Sequence, residues 1–335
     1  MPIPHRTAPA VLAATLLLAA CGTQDASPGG GDGRVRAEAL CPSDEMRYGS
    51  RPSQAPTARP SGRPTELPLP SLGATDEDGV KITALYAWGP ESGCAGVEYS
   101  ADFELTNQQK ETATYTLTLG FLAASGGAVD NGERTVAAVA PGRTVKGTVV
   151  MGQSVGNAPE VTGVQVTKLR SVPAAEASST GGTCPKSGTH LYADQGDAAM
   201  GLRVVGLHLV NCGTRPYKLD GYPKLEIQDE DHDTVSGIRI LQGTDQIGTG
   251  IEEDESPRPV VLQPSEAAVA GLAWRNTTQA GDPVNAPYLR VWARPGAAPM
   301  MVVPELDLGT TGKLGVGHWR KDETYRPSAA STARP

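Results

Sequence analysis

Aromatic residues make up only 4% of the chain and Phe occurs twice, so any core must rest on Val, Leu, Ile and Ala with a few Tyr and Trp. Positive charge is short as well. With 29 Lys and Arg against 37 Asp and Glu the formal net charge is -8, which argues against nucleic acid as a partner. Histidine is scarce, and His190, His208, His232 and His318 include no close pair of the kind a zinc helix requires. The main apolar run, Ala8 to Ala20, has about 13 residues, whereas a helix crossing a ~30 Å hydrocarbon core takes about 20.

That run follows Arg6 and has the make-up of a signal peptide, an apolar stretch behind a short cationic start, so residues 1–20 are expected to be removed. Its end, Leu18-Ala-Ala-Cys21-Gly22, resembles the lipobox of bacterial lipoproteins. The resemblance implies diacylglycerol on the Cys21 sulfur and cleavage that makes Cys21 the new N-terminus. The expected location is the extracytoplasmic face of the cell membrane, with membrane lipid as a partner through acylated Cys21. Two acyl chains anchor stably, since each buried methylene contributes about 0.8 kcal/mol and one chain alone is marginal.

Four cysteines remain beyond Cys21, an even number in a chain bound for an oxidising compartment, and disulfides are the expectation. Residues 21–78 are rich in Gly, Ser, Pro and Thr and read as a disordered tether. From Val80 the pattern changes. Val97, Tyr99, Ala101, Phe103 and Leu105 alternate with polar residues, and Ala113, Tyr115, Leu117, Leu119 and Phe121 do the same after the polar turn Asn107 to Glu111, which predicts a hairpin. Further short strands near 134–139, 144–151 and 161–169 complete a β-sandwich over 79–172. A low-complexity stretch, 173–183, reads as a hinge. A second sandwich is expected over 184–319 and a fraying polar tail over 320–335.

The second region echoes the first. Leu105-Thr-Asn107 corresponds to Leu209-Val-Asn211, Tyr115 to Tyr217, and Val139-Ala-Pro-Gly142 to Leu262-Gln-Pro-Ser265. Each unit opens on a Cys-Pro pair, Cys41-Pro42 and Cys184-Pro185, and holds one more cysteine, so the repeat pairs Cys41 with Cys94 and Cys184 with Cys212. On the chain-entropy model the two loops contribute about 4.2 and about 3.6 kcal/mol. The fold class is therefore all-β: two tandem immunoglobulin-like β-sandwiches after a signal peptide and a tether.

The second region also resembles an exported actinobacterial family known as domain of unknown function 4232. The residues that carry the resemblance are an opening Cys184, Leu209-Val-Asn211, Leu219-Asp-Gly-Tyr-Pro223, the Leu262-Gln-Pro-Ser265 turn leading to Ala270-Gly-Leu-Ala-Trp274, and the closing Gly312-Lys-Leu-Gly-Val-Gly-His-Trp319. The family's second cysteine usually falls nearer the Gly-Tyr-Pro segment than Cys212 does here. The resemblance implies a β-sandwich in a surface lipoprotein and supplies no catalytic residue.

Gly152-Gln-Ser154-Val-Gly156 matches the nucleophile elbow of serine hydrolases, but the elbow requires a helix directly after the serine and Asn157-Ala-Pro159 breaks one. The acidic run Asp229 to Asp233 offers hard oxygen ligands for Ca²⁺, yet the positions for the sharp-turn glycine and the bidentate glutamate hold Thr234 and Ile240. A solvated hairpin turn between 225–227 and 235–240 accounts for it, and Glu252 to Glu255 reads likewise. His208 reads as a hydrogen-bonded core residue, and Trp88, Trp274, Trp292 and Trp319 as core residues rather than a carbohydrate surface. The expectation is a non-catalytic binding or structural module without metal or cofactor, its partner an envelope protein or cell-wall polymer. A serine hydrolase using Ser154 and a spacer subunit are the alternatives.

Overall fold

Period-two patterning in the sequence becomes period-two burial in the structure, a computed structural model that describes residues 42, 63–69, 78–89, 92, 94, 96–153, 158–177, 184–251 and 256–326. These residues contain no α-helix, and all fall within one compact unit, Ala39–Pro335. The first seven strands are β1 Thr65–Leu67, β2 Val80–Ala87, β3 Tyr99–Thr106, β4 Ala113–Ala123, β5 Ala128–Val139, β6 Thr144–Met151 and β7 Val161–Pro173. They make two sheets, β1-β2-β3-β6 and β5-β4-β7. Ala101, Phe103 and Leu105 on one sheet and Tyr115, Leu117, Leu119 and Phe121 on the other enter a single buried cluster, the core of a sandwich.

The expected hairpin of β3 with β4 does not form. β3 pairs with β2 and β6, whereas β4 pairs with β5 and β7, so residues 107–112 carry the chain from one sheet to the other. The physical reason lies in the two apolar rows themselves. Side by side in one sheet they would lack a facing layer; on opposite sheets each row supplies the other's.

The second sandwich comprises β8 Thr189–Ala193, β9 Asp197–Ala199, β10 Leu202–Asn211, β11 Tyr217–Leu219, β12 Lys224–Gln228, β13 Arg239–Gln242, β14 Val260–Leu262, β15 Ala267–Arg275, β16 Val284–Ala286, β17 Tyr288–Trp292, β18 Met300–Val302, β19 Leu306–Gly309, β20 Lys313–Val316 and β21 Arg320–Lys321. One layer runs β13-β20-β15-β10-β8, and β12-β17-β18 is the main sheet of the other. Leu207, Leu209, Leu272, Trp274, Leu289, Val291 and Trp319 fill the space between. In both sandwiches the neighbours follow the immunoglobulin pattern, in which the first, second and fifth strands form one sheet and the third and sixth the other: β2-β3-β6 with β4-β7, and β8-β10-β15 with β12-β17.

The repeat read from the sequence is a repeated hydrogen-bond device. Asn107 Nδ2 donates to the carbonyls of Glu111 (2.8 Å) and Val139 (2.7 Å), and its Oδ1 accepts from the Gln109 amide (2.8 Å). Asn211 Nδ2 donates to Arg215 (2.9 Å) and Leu262 (2.9 Å), and its Oδ1 accepts from the Gly213 amide (3.1 Å). Each asparagine ends its strand and satisfies the loop that crosses to the opposite sheet, which otherwise leaves buried carbonyls unpaired. The Pro-Gly and Pro-Ser turns match as well, with Gly142 and Ser265 both left-handed at φ 68° and 69°.

Three boundaries depart from expectation. Within the segment expected as tether, β1 pairs with Ala87 to Leu85 of β2, because Leu67 and Leu69 pack on the first core. In the segment expected as a hinge, residues 173–177 bind the second sandwich, as described below. The tail does not fray from Arg320: β21 pairs with β15, and the Asp322 amide donates to Ala267 O (2.9 Å), because Asp322 finds buried partners.

Candidate functional site

Cys184 and Cys212 form a disulfide with Cα atoms 5.6 Å apart. Cys94 is disulfide-bonded too; Cys41, expected as its partner, and Cys21 lie outside the described residues. The cysteines do not occupy equivalent places in the repeat. Cys212 follows the end of β10, whereas Cys94 precedes the start of β3, at the other end of its strand.

Ser154 also lies outside the described residues, as do Glu252 to Glu255. What surrounds Ser154 lacks the elbow's context: β6 ends at Met151 and the next described element is the strand β7. The acidic run is a turn braced by its first carboxylate. Asp229 Oδ1 accepts from the amides of Asp231 (3.1 Å) and Asp233 (2.9 Å). The flanking segments form the expected hairpin only at its base, where the Val235 amide donates to Ile227 O (2.9 Å). Beyond a bridge between Gln228 and Thr234 the chain leaves this layer, and β13 pairs parallel to β20 at the end of the other sheet.

The two sandwiches meet through β7 and the residues after it. Arg170 makes a bidentate contact with Glu305 (2.9 and 3.1 Å), Lys168 reaches the same carboxylate (3.0 Å), and Glu230 lies 3.4 Å from Arg170. Burial raises the Glu305 pKa, but the bonds from Arg170 and Lys168 outweigh it and leave the group below its usual range. The Ser171 amide donates to the Tyr288 hydroxyl (3.0 Å), and Ser171 Oγ lies 3.2 Å from His232 Nε2. The His232 ring stacks on Tyr288 with centroids 4.2 Å apart. Glu176 pairs with Arg290, and its carbonyl accepts from the Met301 amide (2.9 Å), so this stretch is laid along the edge of β18. β7 continues four residues past the expected strand end, from Leu169 to Pro173, and that extension carries Arg170 and Ser171 into the joint.

His208 is a hydrogen-bonded histidine, but on the outer face of its sheet rather than in the core. Nδ1 faces Asp322 (2.9 Å), Nε2 faces Asp194 (3.1 Å), and the ring stacks on Tyr192 at 4.9 Å. Gly206 makes the room, since a Cβ there would stand 2.5 Å from the Asp194 carboxylate and 2.8 Å from the imidazole. Burial works to lower the His208 pKa, but the two carboxylates outweigh it and the pKa rises; both Asp194 and Asp322 are correspondingly lowered despite burial. Burial with Asp322 nearby pushes the Tyr192 phenol to about 12. Each ring nitrogen points at a different carboxylate, a geometry that suits an imidazolium clamp and not a shared metal. The sequence carried a partial signal for Asp194 in the Asp-Gln-Gly turn, but none for Asp322 in a polar tail.

Of the four tryptophans, Trp274 and Trp319 are core residues, their indoles donating to Asp307 (2.7 Å) and to Ala293 O (2.9 Å). Trp88 and Trp292 are half-buried. On the outer face of β12-β17-β18, Lys224 lies 4.6 Å and Arg290 5.6 Å from the Trp292 ring, and Arg294 lies 4.4 Å from Tyr217. Arg290 is paired with Glu176 and Glu226, whereas no carboxylate pairs with Lys224 or Arg294 among the described residues. On a chain of net charge -8 this is a local concentration of cations around an aromatic ring.

The Gly221-Tyr-Pro223 segment packs against the chain's closing motif: Gly221 O accepts from the Trp319 amide (2.9 Å), Tyr222 meets His318 edge-on at 6.1 Å, and Pro223 immediately precedes β12. No curated protein matches the chain. Residues 184–320, the second sandwich up to the first residue of β21, match the model of the family Domain of unknown function (DUF4232).

Proposed function

We propose that the protein is a lipid-anchored lipoprotein of the extracytoplasmic membrane face, acting as a non-catalytic binding or structural module of the cell envelope. The observation that carries the address is the apolar run ending in Leu18-Ala-Ala-Cys21. The Cys184–Cys212 bridge supports it, because such bridges persist in oxidising compartments. A joint that holds two sandwiches together suits a display head better than a string of independent beads. We assign partner contact to the face around Trp292, Lys224 and Arg294, whose chemistry calls for an anionic envelope polymer.

Cys21→Ser tests the address: the protein is expected to leave the membrane fraction for the medium, and retention on membranes refutes lipid anchoring. Binding to isolated cell walls tests the role. Trp292→Ala combined with Lys224→Ala is expected to weaken binding without changing the urea midpoint, and undiminished binding removes this face from the reading.

A further inference from the structure

Beside the Cys184–Cys212 bridge stands a buried histidine. His190 on β8 is 7% exposed, and its Nδ1 is buried without a hydrogen-bond partner among the described residues. A ring nitrogen of His190 and the sulfurs of Cys184 and Cys212 all lie within 4.8 Å of one another. The topology explains the meeting. His190 is the cross-strand partner of Val210, and Cys212 follows two positions on, so imidazole and sulfur leave the same face of the sheet.

A buried imidazole nitrogen without a partner is costly, and an imidazole with two sulfurs within reach of one of its nitrogens offers the ligand set of a soft cation. Two thiolates and one imidazole satisfy three-coordinate Cu⁺, whereas Zn²⁺ requires a fourth ligand. Metal–sulfur bonds of about 2.3 Å at trigonal angles place two sulfurs roughly 4.0 Å apart on one ion. Rotation of the two cysteine side chains supplies that spacing across Cα atoms 5.6 Å apart.

We propose that Cys184, Cys212 and His190 form a redox-gated Cu⁺ site: closed as the disulfide, open to the cation when the cysteines are thiols, as they are in a newly made chain before oxidation or after exchange with a low-molecular-weight thiol. Opening consumes two such thiols, which leave as their own disulfide while Cys184 and Cys212 each gain a hydrogen. Binding then releases two protons from the cysteines and leaves copper as Cu⁺, with no net electron transfer. Capture of the ion blocks re-formation of the bridge, so metal and disulfide exclude each other.

The test uses the full chain carrying Cys21→Ser, Cys41→Ala and Cys94→Ala, in which Cys184 and Cys212 are the remaining two of five cysteines. The protein is reduced with a phosphine and titrated anaerobically with Cu⁺ against a chromophoric chelator. One equivalent is expected to bind after reduction and none before it. His190→Ala is expected to weaken binding at least tenfold, and copper-edge X-ray absorption to show one nitrogen with two sulfurs. A His190→Ala protein that binds as tightly as its parent, or a sulfur-only copper shell, overturns the proposal. Should the triple variant not fold, the same titration of the chain with its other cysteines intact is compared with Cys184→Ser/Cys212→Ser; loss of no equivalent overturns it equally.

Discussion

Asn107→Ala removes a side chain that is fully buried and makes four hydrogen bonds. Two run to the carbonyls of Glu111 and Val139, one comes from the Gln109 amide, and one from the Tyr115 hydroxyl at 2.6 Å. At a net contribution of about 1 kcal/mol for each bond the loss is about 4 kcal/mol, with a further ~1 kcal/mol where a group is left buried and unpaired. Tyr115 is one such group, being only 4% exposed, and the Val139 carbonyl is another. Against a typical total of about 5 to 15 kcal/mol this is a large fraction. Tyr115→Phe alone is expected to cost about 1 kcal/mol. The double variant Asn107→Ala/Tyr115→Phe should be more stable than the sum of the two, by about 2 kcal/mol, because the shared bond is lost only once and the orphaned hydroxyl has gone. Asn211 makes three such bonds and lacks the tyrosine partner, so Asn211→Ala should cost nearer 3 kcal/mol. Urea unfolding followed by tryptophan fluorescence and far-UV circular dichroism gives the numbers. If Asn107→Ala stays within 1 kcal/mol of the parent, or the cycle with Tyr115 is additive, the asparagine is not the device that ties the two sheets.

Two further outcomes follow from the clamp and the joint. His208 has its pKa raised above its ordinary 6.5, so its contribution is complete below 6.5 and is lost as pH rises through the folded-state value; its carboxylate partners, being lowered, lose theirs only at acid pH. His190 and His232 are shifted down by burial and act in the opposite direction, so the parent's pH profile conceals the clamp, and only the comparison with His208→Gln exposes it. The stability difference between parent and His208→Gln should shrink on raising pH above 6.5, and a constant difference from pH 5.5 to 9 rules out an imidazolium clamp. At the joint, Arg170→Ala removes a bidentate carboxylate contact worth about 1 to 3 kcal/mol after allowance for partial exposure. Proteolytic cleavage within 174–177 should accelerate while each sandwich keeps its own exchange-protected core; unchanged cleavage shows that the joint does not depend on this pair.

What could be read along the chain was what neighbouring residues decide together. The alternation of Tyr115, Leu117, Leu119 and Phe121 fixed a strand and its buried face, because side-chain direction in extended chain depends on position parity alone. The matched asparagines and Pro turns revealed a repeat, since the device they build is local to a strand end and the turn that meets it. The pairing of Cys184 with Cys212 was expected from that repeat and is observed, although Cys94 and Cys212 sit at opposite ends of the equivalent strands. Whether β3 pairs with β4 or faces it was not written in either strand, because both arrangements bury the same residues.

The composition and patterning of this sequence thus determined an all-β chain in repeated units, with a lipobox-like Cys21 as its expected address. Tertiary structure alone decided which distant groups meet: Asp194 and Asp322 about His208, Glu305 on Arg170, and His190 against the bridge. Those contacts depend on the register and layering of strands far apart in the chain, and an isolated charge or histidine carries no local signal of the partner that the fold will bring to it.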